Sequence, residues 1–539
     1  MDAIRIERLR CLSDTGYVQI KPLTVFLGQN SSGKSTFLRF FPLLKQSIES
    51  RTTGPILWYG RLVDFGNFHD AHQTGAENTI AFSFKFTLEA DNSRVFPIPI
   101  YNSFFTREIR ILNSLDIYLT LEVSADNKKE NTRASKLILQ FKDSNVELEF
   151  NEDESVSNFK VNSLNILDYS NKYITKNFNN RSFLPIITEF KKKESNLELF
   201  SPSERPVISR LRPFTGLFEV LIKNIQDTAH HYTSSETILK IALSLGLSDS
   251  ETMLKDIQEN KFAGNGWKRK TKKWTTQTKD FKNLRDLIIA NIVPSLIEKC
   301  DDMLTNFSRQ VNYMGPVRAT AERYYRTQDL AVDEVDYQGR NLTMFLHNLK
   351  DSEMQNFSDW TLSYFGFQPS IESSLGHISL KIRSKDSDKE LNIADTGFGF
   401  SQILPIITQL WFLSSSTKHK SDLGFYQRNK GTVTYAIEQP ELHLHPRLQG
   451  SLTDALVAAI KAAKDNNIDL RLIIETHSEV LINRLGHLID DKKISPDDIN
   501  IVLFEPSYQS GEITIRNSHF DSEGYLMNWP LGFFNMESV

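Results

Sequence analysis

Residues 23–36 read LTVFLGQNSSGKST, and this stretch decides the fold. Its beginning, LTVFLG, is an almost uninterrupted apolar run, which is typical of a β-strand buried on both faces. A helical run, STFLRFFPLLKQSIES, occupies 35–50, and Pro42 inside it is expected to kink the helix or end its first segment. Between them, Gly28 to Ser35 fit the pattern G-x-x-x-x-G-K-[ST] in the strand–loop–helix context that a phosphate-binding loop requires.

The residue types in this loop explain why it suits phosphate. Its glycines let successive backbone N–H groups turn onto phosphate oxygens, and the helix N-terminus adds a favourable dipole. Lys34 can reach the β- and γ-phosphates and Ser35 can ligate Mg²⁺. The alternative is a Ser/Gly-rich turn without a ligand. The residues predicted to hold the nucleotide here are Gly28, Gln29, Asn30, Ser31, Ser32, Gly33, Lys34, Ser35 and Thr36.

The composition excludes several classes of protein. The 539 residues include 63 Lys+Arg against 67 Asp+Glu, a net charge of -4, and 40% hydrophobic residues, which is an ordinary globular balance. Only Cys11 and Cys300 are present, so neither a disulfide framework nor a cysteine zinc site is expected, and a reducing, cytoplasmic location fits. No apolar run reaches the length of a membrane span and no signal-peptide core opens the chain, so no membrane partner is expected.

The remaining chain changes character twice, and we predict an α/β fold in three parts. Between 80 and 150, several segments alternate apolar and polar residues, which predicts an antiparallel β-meander. Residues 1–165 are therefore interpreted as an N-terminal ATP-binding part that includes this meander. Residues 166–310 are predicted to form a mainly helical insertion. Its segment 261–282 carries eight Lys/Arg and one Asp, a net of +7. From 311 to 539 the pattern is α/β again and carries the remaining motifs.

A second motif, VTYAIEQPELHLHP, occupies 433–446. Its apolar strand ends in Glu438, where a carboxylate would help to hold Mg²⁺ at the carboxyl edge of a sheet. Gln439 stands where many related ATPases carry the glutamate that activates water, and an amide cannot act as that base. Glu441 is the candidate replacement, and the alternative for both acids is a solvated loop. His443 and His445 could be a metal pair, but a turn that packs against an opposing subunit is favoured.

Two further motifs complete a nucleotide constellation. The strand in LIIETHSEVL (472–481) ends just before His477, which is expected to reach a γ-phosphate; the alternative is a structural histidine. In DTGFGFSQ (395–402), glycines and Ser401 before a helix predict a second anion-binding N-terminus, or else a glycine hairpin leading to a core helix. The first loop already cradles its own phosphate, so this motif would serve a partner subunit. Its predicted ligands are Gly397, Gly399, Ser401 and Gln402.

These four elements, in this order, resemble the heads of ABC-class ATPases, and more closely the RecF/OLD-like AAA family ATPases of bacteria. The similarity covers about 1–80 and 311–539. The chain resembles the PtuA-type ATPases of Septu and retron-linked anti-phage systems in its size and in its lack of nuclease motifs. The stretches that carry the resemblance are GQNSSGKST (28–36), YMGPVRATAERYY (313–325), GFGFSQILPII (397–407), IEQPELHLHP (437–446), ETHSEVL (475–481) and WPLGFF (529–534).

The resemblance implies an ABC-type head, a mixed sheet with a phosphate loop plus an antiparallel β subdomain, interrupted by the helical insertion. It implies ATP and Mg²⁺ as cofactors and a head-to-tail homodimer or higher oligomer, in which 28–36 face the 397–402 motif of the partner. Asp64 and His69 lie where related ATPases have a loop that senses the γ-phosphate. The alternative interpretation is a plain turn. Gln439 departs from the acidic norm and predicts slow hydrolysis. Implied partners are an HNH-type nuclease and a reverse transcriptase with its RNA–DNA product.

Other functions remain open at this point. A RecF-like DNA-repair clamp fits the same motifs. A self-sufficient OLD-type nuclease needs a Toprim module, whereas Asp490-Asp491 and Asp497-Asp498 lie in a loop-like segment. A transporter ATPase has no counterpart for the insertion, and the lack of heptads excludes long coiled coils.

The basic segment is the candidate nucleic-acid surface. Its cations are expected to contact phosphates, with Trp267 and Trp274 stacking on bases. The alternative is a solvated, mobile loop. The predicted phosphate-binding residues are Lys268, Arg269, Lys270, Lys272 and Lys273.

Overall fold

The chain divides into two compact units, which we describe separately. The first comprises Met1–Arg8, Ser50–Leu57 and Gly75–Thr305, and the second Leu9–Glu49, Trp58–Thr74 and Asn306–Val539. The expected division at 165 and 310 stays a prediction. The computed structural model describes residues 1–90, 110–125, 131–169, 173–176, 182–189, 215–328, 332, 334–387, 389–415, 431–506 and 513–529.

The elements alternate between strand-rich and helix-rich stretches. Up to residue 189 they are β1 (Ala3–Leu9), β2 (Leu12–Asp14), β3 (Val18–Gln19), β4 (Leu23–Gly28), α1 (Lys34–Glu49), α2 (Phe68–Ala71), β5 (Ile80–Leu88), β6 (Leu115–Ala125), β7 (Thr132–Phe141), β8 (Ser144–Phe150), β9 (Val156–Val161), β10 (Leu164–Asn165), β11 (Tyr173–Lys176) and β12 (Ile186–Glu189). The helical stretch holds α3 (Thr215–Thr228), α4 (Ser235–Ser244), α5 (Ser250–Gln258), α6 (Asn265–Thr271) and α7 (Lys279–Arg309). The remainder holds β13 (Val311–Met314), β14 (Tyr325–Arg326), α8 (Leu342–His347), α9 (Asp351–Phe365), β15 (Phe367–Ser374), β16 (His377–Ser384), β17 (Glu390–Asn392), α10 (Phe398–Ser414), β18 (Val433–Glu438), α11 (Pro446–Asp465), β19 (Leu470–Glu475), α12 (Glu479–Asp490), β20 (Ile499–Pro506), β21 (Ile513–Phe520) and β22 (Leu526–Met527).

The first unit is built on the predicted antiparallel meander. Strands β5, β6, β7, β8, β9 and β10 pair each with the next, and β1 pairs with β5 at the other side. In β8 buried and half-buried residues alternate strictly, as expected for a strand with one wet face. Helices α3 to α6 and most of α7 belong to the same unit.

The second unit is built on a mixed sheet in the order β13-β18-β19-β4-β20-β21-β22. The central strand β4 runs parallel to β19 and β20, and every residue of β4 is buried. Because β4, β18 and β19 are parallel neighbours, their carboxyl ends lie at one edge of the sheet and bring three motifs together. The α/β fold class and the doubly buried first strand are therefore confirmed.

Helix α1 does not end at Pro42, contrary to the expectation of a possible break there. The helix continues from Lys34 to Glu49, and nearly every side chain except Ser35, Arg39 and Glu49 is buried. Proline removes one backbone donor, but packing on nearly all sides compensates for the missing hydrogen bond.

Smaller elements complete the second unit. The segments HISLKIR and ELNIAD meet in a hairpin, since β16 pairs antiparallel with β17 as well as with β15. Helix α10 contributes the apolar residues of ILPIITQLWFL to the core of this unit. No helix among the described residues is long and apolar enough to cross a membrane.

Candidate functional site

The phosphate loop connects β4 to α1, and its two glycines are required by close packing. A Cβ on Gly28 would lie 2.3 Å from the carbonyl oxygen of Phe504. Gly33 has φ +90°, and a Cβ there would lie 2.6 Å from Cδ2 of Leu12. Ser31 also has a positive φ of 63°. Side chains larger than hydrogen would therefore open the loop at both glycines.

Lys34 folds back onto its own loop. Its Nζ donates to the carbonyl oxygens of Gly28 at 2.9 Å and Gln29 at 2.6 Å. Burial lowers the pKa of Lys34, although the nearby carboxylates of Glu475 and Glu441 act in the opposite direction. An anion arriving at the loop would offer this buried ammonium a stronger acceptor than carbonyl oxygens.

The rest of the loop presents polar groups suited to phosphate. Gln29, Asn30 and Ser31 are exposed. Ser32 is buried and its hydroxyl has no partner among the described residues. The first turn of α1 carries no acidic residue, so its N-terminal dipole is not offset. The cradle therefore fits a phosphate group.

Ser35 contacts a carboxylate that the sequence analysis did not assign. Its hydroxyl donates to Oε1 of Glu475 at 2.7 Å. Glu475 ends β19 and lies in register beside Glu438, the last residue of β18. Burial raises the pKa of Glu475 to about 7, with a further rise from Glu438, and its Oε2 has no partner among the described residues. A divalent cation between Ser35 and Glu475 would satisfy that oxygen, so this pair fits Mg²⁺.

Glu438 is held by two side chains in the same unit. Arg39 donates from Nε to Oε1 and from Nη2 to Oε2, both at 2.8 Å. The hydroxyl of Tyr313 donates to Oε1 at 2.6 Å. Burial and the adjoining carboxylate raise the pKa of Tyr313, so the phenol stays a donor. The metal role of Glu438 stays a prediction. It requires either that the ion pair with Arg39 opens or that Glu438 contacts the metal through a water molecule.

The sequence carries signals for two of the three residues that the sequence analysis did not assign, Glu475 and Arg39. Glu475 closes a buried strand just as Glu438 does, which marks it as a second acid at the same edge. Arg39 follows Ser35 by one helical turn and so projects from the same side of α1. Tyr313 is the penultimate residue of the neighbouring strand β13, but nothing in the sequence indicates which way its side chain points.

The turn after β18 links the second and third motifs. The N–H of Gln439, with φ 42°, donates to the carbonyl oxygen of Glu475 at 2.8 Å. Oε1 of Glu441 accepts from the N–H of His477 at 2.8 Å. Burial raises the pKa of Glu441, whereas burial and then the charge of Lys34 lower the pKa of His477. The structure thus gathers all five predicted catalytic residues around one edge of the sheet.

Helix α10 begins about one turn earlier than the sequence predicted, so the glycine motif lies at the start of the helix. The helix begins at Phe398, so Ser401 lies inside its first turn instead of before it, and its hydroxyl donates to the carbonyl oxygen of Phe398 at 2.8 Å. Gly397 is the N-cap and offers no side chain. A Cβ on Gly399 would lie 3.3 Å from the carbonyl oxygen of His443, because the motif packs on the loop after β18.

The binding role of this motif, including buried Gln402, stays a prediction. No hydrogen bond joins 397–402 to the phosphate loop among the residues with assigned positions. The rings of Phe398 and His443 lie 5.3 Å apart in an edge-to-face contact. His445 caps α11, because its Nδ1 accepts from the N–H of Arg447. Within the described residues there is no group of three or more His, Cys, Asp or Glu side chains suited to a metal ion.

The turn around Asp64 and His69 is well anchored. The carboxylate of Asp64 accepts from the N–H of Gly66 at 2.7 Å, and Gln46 of α1 bonds with the backbone of Leu62 and Val63. Asp64 and His69 are exposed. Their proposed report on the γ-phosphate stays a prediction.

The basic segment contains helix α6, and the expectation of stacking tryptophans is wrong. Trp267 is 2% exposed and its indole N–H donates to the carbonyl oxygen of Ile257, while Trp274 is 7% exposed. Both indoles pack into the first unit: Trp267 and Thr271 lie one helical turn apart on α6, and Trp274 follows three residues after the helix ends. The exposed residues are Lys268, Arg269, Lys270, Lys272 and Lys273.

Comparison with known proteins agrees with the phosphate loop. The sequence profile described as AAA ATPase domain matches residues 1–482. No match to this chain was found among curated proteins.

Solved structures similar to this chain include heads of SMC proteins. One is the Smc head domain with an extended coiled coil bound to the C-terminal domain of ScpA from Pyrococcus furiosus, at 10% identity, TM-score 0.32, 96% of this chain and 95% of that one. Another is the SMC head domain from Thermotoga maritima, at 9% identity, TM-score 0.31, 96% of this chain and 97% of that one. Similarity at these TM-scores does not define how the present chain folds.

Proposed function

This chain belongs to the family of AAA ATPase domains, and we propose that it uses its ATP cycle to sense nucleic acid and to control a partner effector nuclease. ATP binding and hydrolysis follow from the family. We further place this activity in anti-phage defence in the cytoplasm, by the resemblance to PtuA-type ATPases.

One observation carries the assignment of the nucleotide site. The ends of β4, β18 and β19 bring a buried lysine, a hydroxyl and two buried carboxylates to one edge of the sheet: Lys34, Ser35, Glu438 and Glu475. With ATP bound, Lys34 would exchange its two carbonyl acceptors for phosphate oxygens. Mg²⁺, when bound, neutralises charge on the transferred phosphate. Ser35 and Glu475 would hold it, with Glu438 as the third oxygen donor proposed from the sequence.

Slow hydrolysis follows from the residues after β18. Gln439 has no basic group, and Glu441 is tied to the N–H of His477 through one oxygen. The other oxygen, Oε2, is buried without a described partner, and its raised pKa brings the carboxyl closer to the range of a general base. We therefore propose that Glu441 supplies weak base catalysis and that ATP mainly holds a closed dimer.

The dimer itself is proposed through the glycine motif. Gly397 and Phe398 are exposed at the N-terminus of α10, and Phe398 keeps 50% of its surface accessible. An exposed aromatic ring beside an open helix N-terminus suits an interface that must also approach a phosphate. We propose a head-to-tail homodimer or higher oligomer in which this end meets the phosphate loop of the partner.

The nucleic-acid role is supported by the surface of α6. Lys268, Arg269 and Lys270 lie on α6, and Lys272 and Lys273 follow directly after it; all five are exposed and form no ion pair with a described residue. Because both tryptophans are buried, neither stacks on a base, and such a surface would contact phosphates. The HNH-type nuclease, and a reverse transcriptase with its RNA–DNA product, are proposed as partners from the resemblance alone, and intrinsic nuclease activity is not proposed.

A salt series tests the nucleic-acid part of this proposal. Alanine at all five α6 cations should weaken binding to a short DNA duplex or an RNA–DNA hybrid. The slope of log K against log[salt] should become shallower by up to about 4 between about 50 and 200 mM salt. A control protein with the same net charge carries alanine at five exposed lysines elsewhere in the first unit: Lys142, Lys160, Lys223, Lys240 and Lys255.

Equal slopes in the two quintuple variants would refute the α6 surface. Weaker binding by the α6 variant alone, together with unchanged ATP turnover, supports it. Adding a candidate HNH nuclease separates the effector proposal from a RecF-like clamp, because only the former predicts ATP-dependent cleavage in the mixture.

A further inference from the structure

A buried arginine behind the nucleotide site has hydrogen-bond donors without acceptors. Arg318 is 4% exposed, and its Nη2 donates to the carbonyl oxygens of Glu438 at 2.9 Å and Gln439 at 3.4 Å. A guanidinium has five N–H donors, and those on Nε and Nη1 have no partner among the described residues. A buried cation in this state is costly, and burial lowers the pKa of Arg318 to about 10.

Arg318 lines a cavity of about 480 Å³ in the second unit. The cavity is formed by the segment after β13, the segment before α8, and the first turns of α10. Ser401 of the glycine motif is one of its lining residues, whereas none belongs to the phosphate loop or to the 475–477 turn. Its volume lies within the range of about 300–1,000 Å³ that is usual for small-molecule sites.

The polar groups in this cavity favour an anion. Arg340 adds a second, exposed guanidinium, against a single carboxylate from Glu322. Thr343 is 1% exposed, and its Oγ1 also has no partner among the described residues. Two cations, one acid and a free buried hydroxyl are complementary to an oxyanion that accepts several hydrogen bonds.

Part of the cavity lining is apolar, and the polar residues Thr320, Tyr325, Gln338 and Ser401 share the lining with it. The apolar walls include Val317, Leu342, Leu380, Ile393 and Pro405. A ligand that satisfies both the walls and the arginines carries an organic part and a charged head. An inorganic ion would fill only a small share of the space.

We propose that this cavity binds a small organic anion, carrying a phosphate or carboxylate head, between Arg318, Arg340 and Thr343. The head accepts from the free donors of Arg318, and the organic part lies on the apolar walls. Because Arg318 also holds the carbonyl oxygens of Glu438 and Gln439, the bound anion fixes the turn that carries the candidate catalytic residues. The cavity is thus a ligand site separate from the phosphate loop of the same chain, and it shares Ser401 with the glycine motif that is proposed to meet the partner's nucleotide.

Calorimetric titration with two probes tests this site. Inorganic phosphate and succinate present the two possible head groups, and each is titrated into full-length Lys34→Ala protein so that the phosphate loop contributes little. Saturable binding of either probe is expected. Phosphate alone assigns a phosphate head, succinate alone a carboxylate head, and both an unselective oxyanion site.

Matched variants identify the cavity as the place of binding. Arg340→Ala and Thr343→Val should each weaken the bound probe on the order of ten-fold, because each removes a donor to a charged head. Thr408→Val is the control, since Thr408 is also a buried threonine of this unit with an unpartnered Oγ1 but does not line the cavity. Thr343→Val removes no hydrogen bond from the hydroxyl to a described residue, so this variant should fold.

The proposal is overturned if neither probe binds saturably. It is also overturned if Arg340→Ala and Thr343→Val bind the probe as tightly as Thr408→Val does. Weakening in both cavity variants with normal binding in the control supports it.

Discussion

Replacing Glu475 by Gln should change how the stability of the sheet edge formed by the carboxyl ends of β4, β18 and β19 responds to pH. The pKa of this buried carboxyl is about 7 in the folded chain, against a model-compound value of 4.5. An acid whose pKa is raised by folding contributes stability that is complete below the unfolded pKa and lost as pH rises through the folded pKa. The difference between these two pKa values corresponds to about 3 kcal/mol over the whole window.

Less than half of this change falls between about pH 6 and about pH 8, the range in which it is measured most easily. With the same two pKa values, the wild-type edge should lose about 1.4 kcal/mol of stability between about pH 6 and about pH 8. The neutral amide of Glu475→Gln lacks this titration and can still accept the hydrogen bond from Ser35. The free energy of local opening in the variant should therefore vary less with pH than in wild type. At the alkaline end of the range it should be higher than in wild type.

Hydrogen exchange of the β19 amides measures this directly, because it reports the local opening free energy. Rates at each pH are corrected for intrinsic exchange. Glu479→Gln, an exposed carboxyl at the start of α12, is the matched control and should follow the wild-type pH response. If the Glu475→Gln and wild-type profiles stay parallel from pH 6 to pH 8, the raised pKa of Glu475 is refuted.

Three other substitutions have defined outcomes. Gly33→Ala brings a Cβ 2.6 Å from Leu12 in a left-handed backbone; strain of about 1–3 kcal/mol should weaken ATP binding about ten-fold or more, as equilibrium titration would show. Trp267→Ala should cost about 3–5 kcal/mol of unfolding free energy in the first unit, and a melting temperature equal to wild type would contradict its burial. Gln439→Glu should raise steady-state phosphate release by up to about 10²-fold if position 439 faces the attacking water; an unchanged rate would place the base elsewhere.

The phosphate loop and the sheet around it were predictable from the sequence because their constraints are local. A doubly buried strand, two glycines and a helix start lie within one short stretch, so 23–36 alone indicate the fold. The antiparallel meander was likewise visible, since period-two alternation in β5 to β8 reports one buried face.

The partners of the acidic residues were not predictable, because they depend on neighbours far away in the sequence. Arg39 and Tyr313 meet Glu438 only through the pairing of β13 with β18 and the packing of α1 on the sheet. Arg318 was read only as part of a family stretch, since nothing local shows that its guanidinium is buried.

The tryptophans of the basic segment were misread for a different reason. Trp267, Thr271 and Trp274 recur at helical spacing, which indicates a buried face. The high density of lysines around them favours the interpretation of a solvated cationic surface, which conceals the helical spacing. In the structure the same segment serves two purposes, with a buried indole face and an exposed cationic face.

The central claim, that the edge formed by β4, β18 and β19 is an ATPase site, is tested most directly by Mg-ATP binding and turnover in Lys34→Ala. Lys34 makes no side-chain hydrogen bond to a described residue beyond the carbonyls of its own loop, so its removal should leave the fold intact. Wild-type protein should bind Mg-ATP saturably and release phosphate slowly. The folded variant should lose at least about 10²-fold in kcat/KM. Unchanged binding and turnover in folded Lys34→Ala would contradict the assignment.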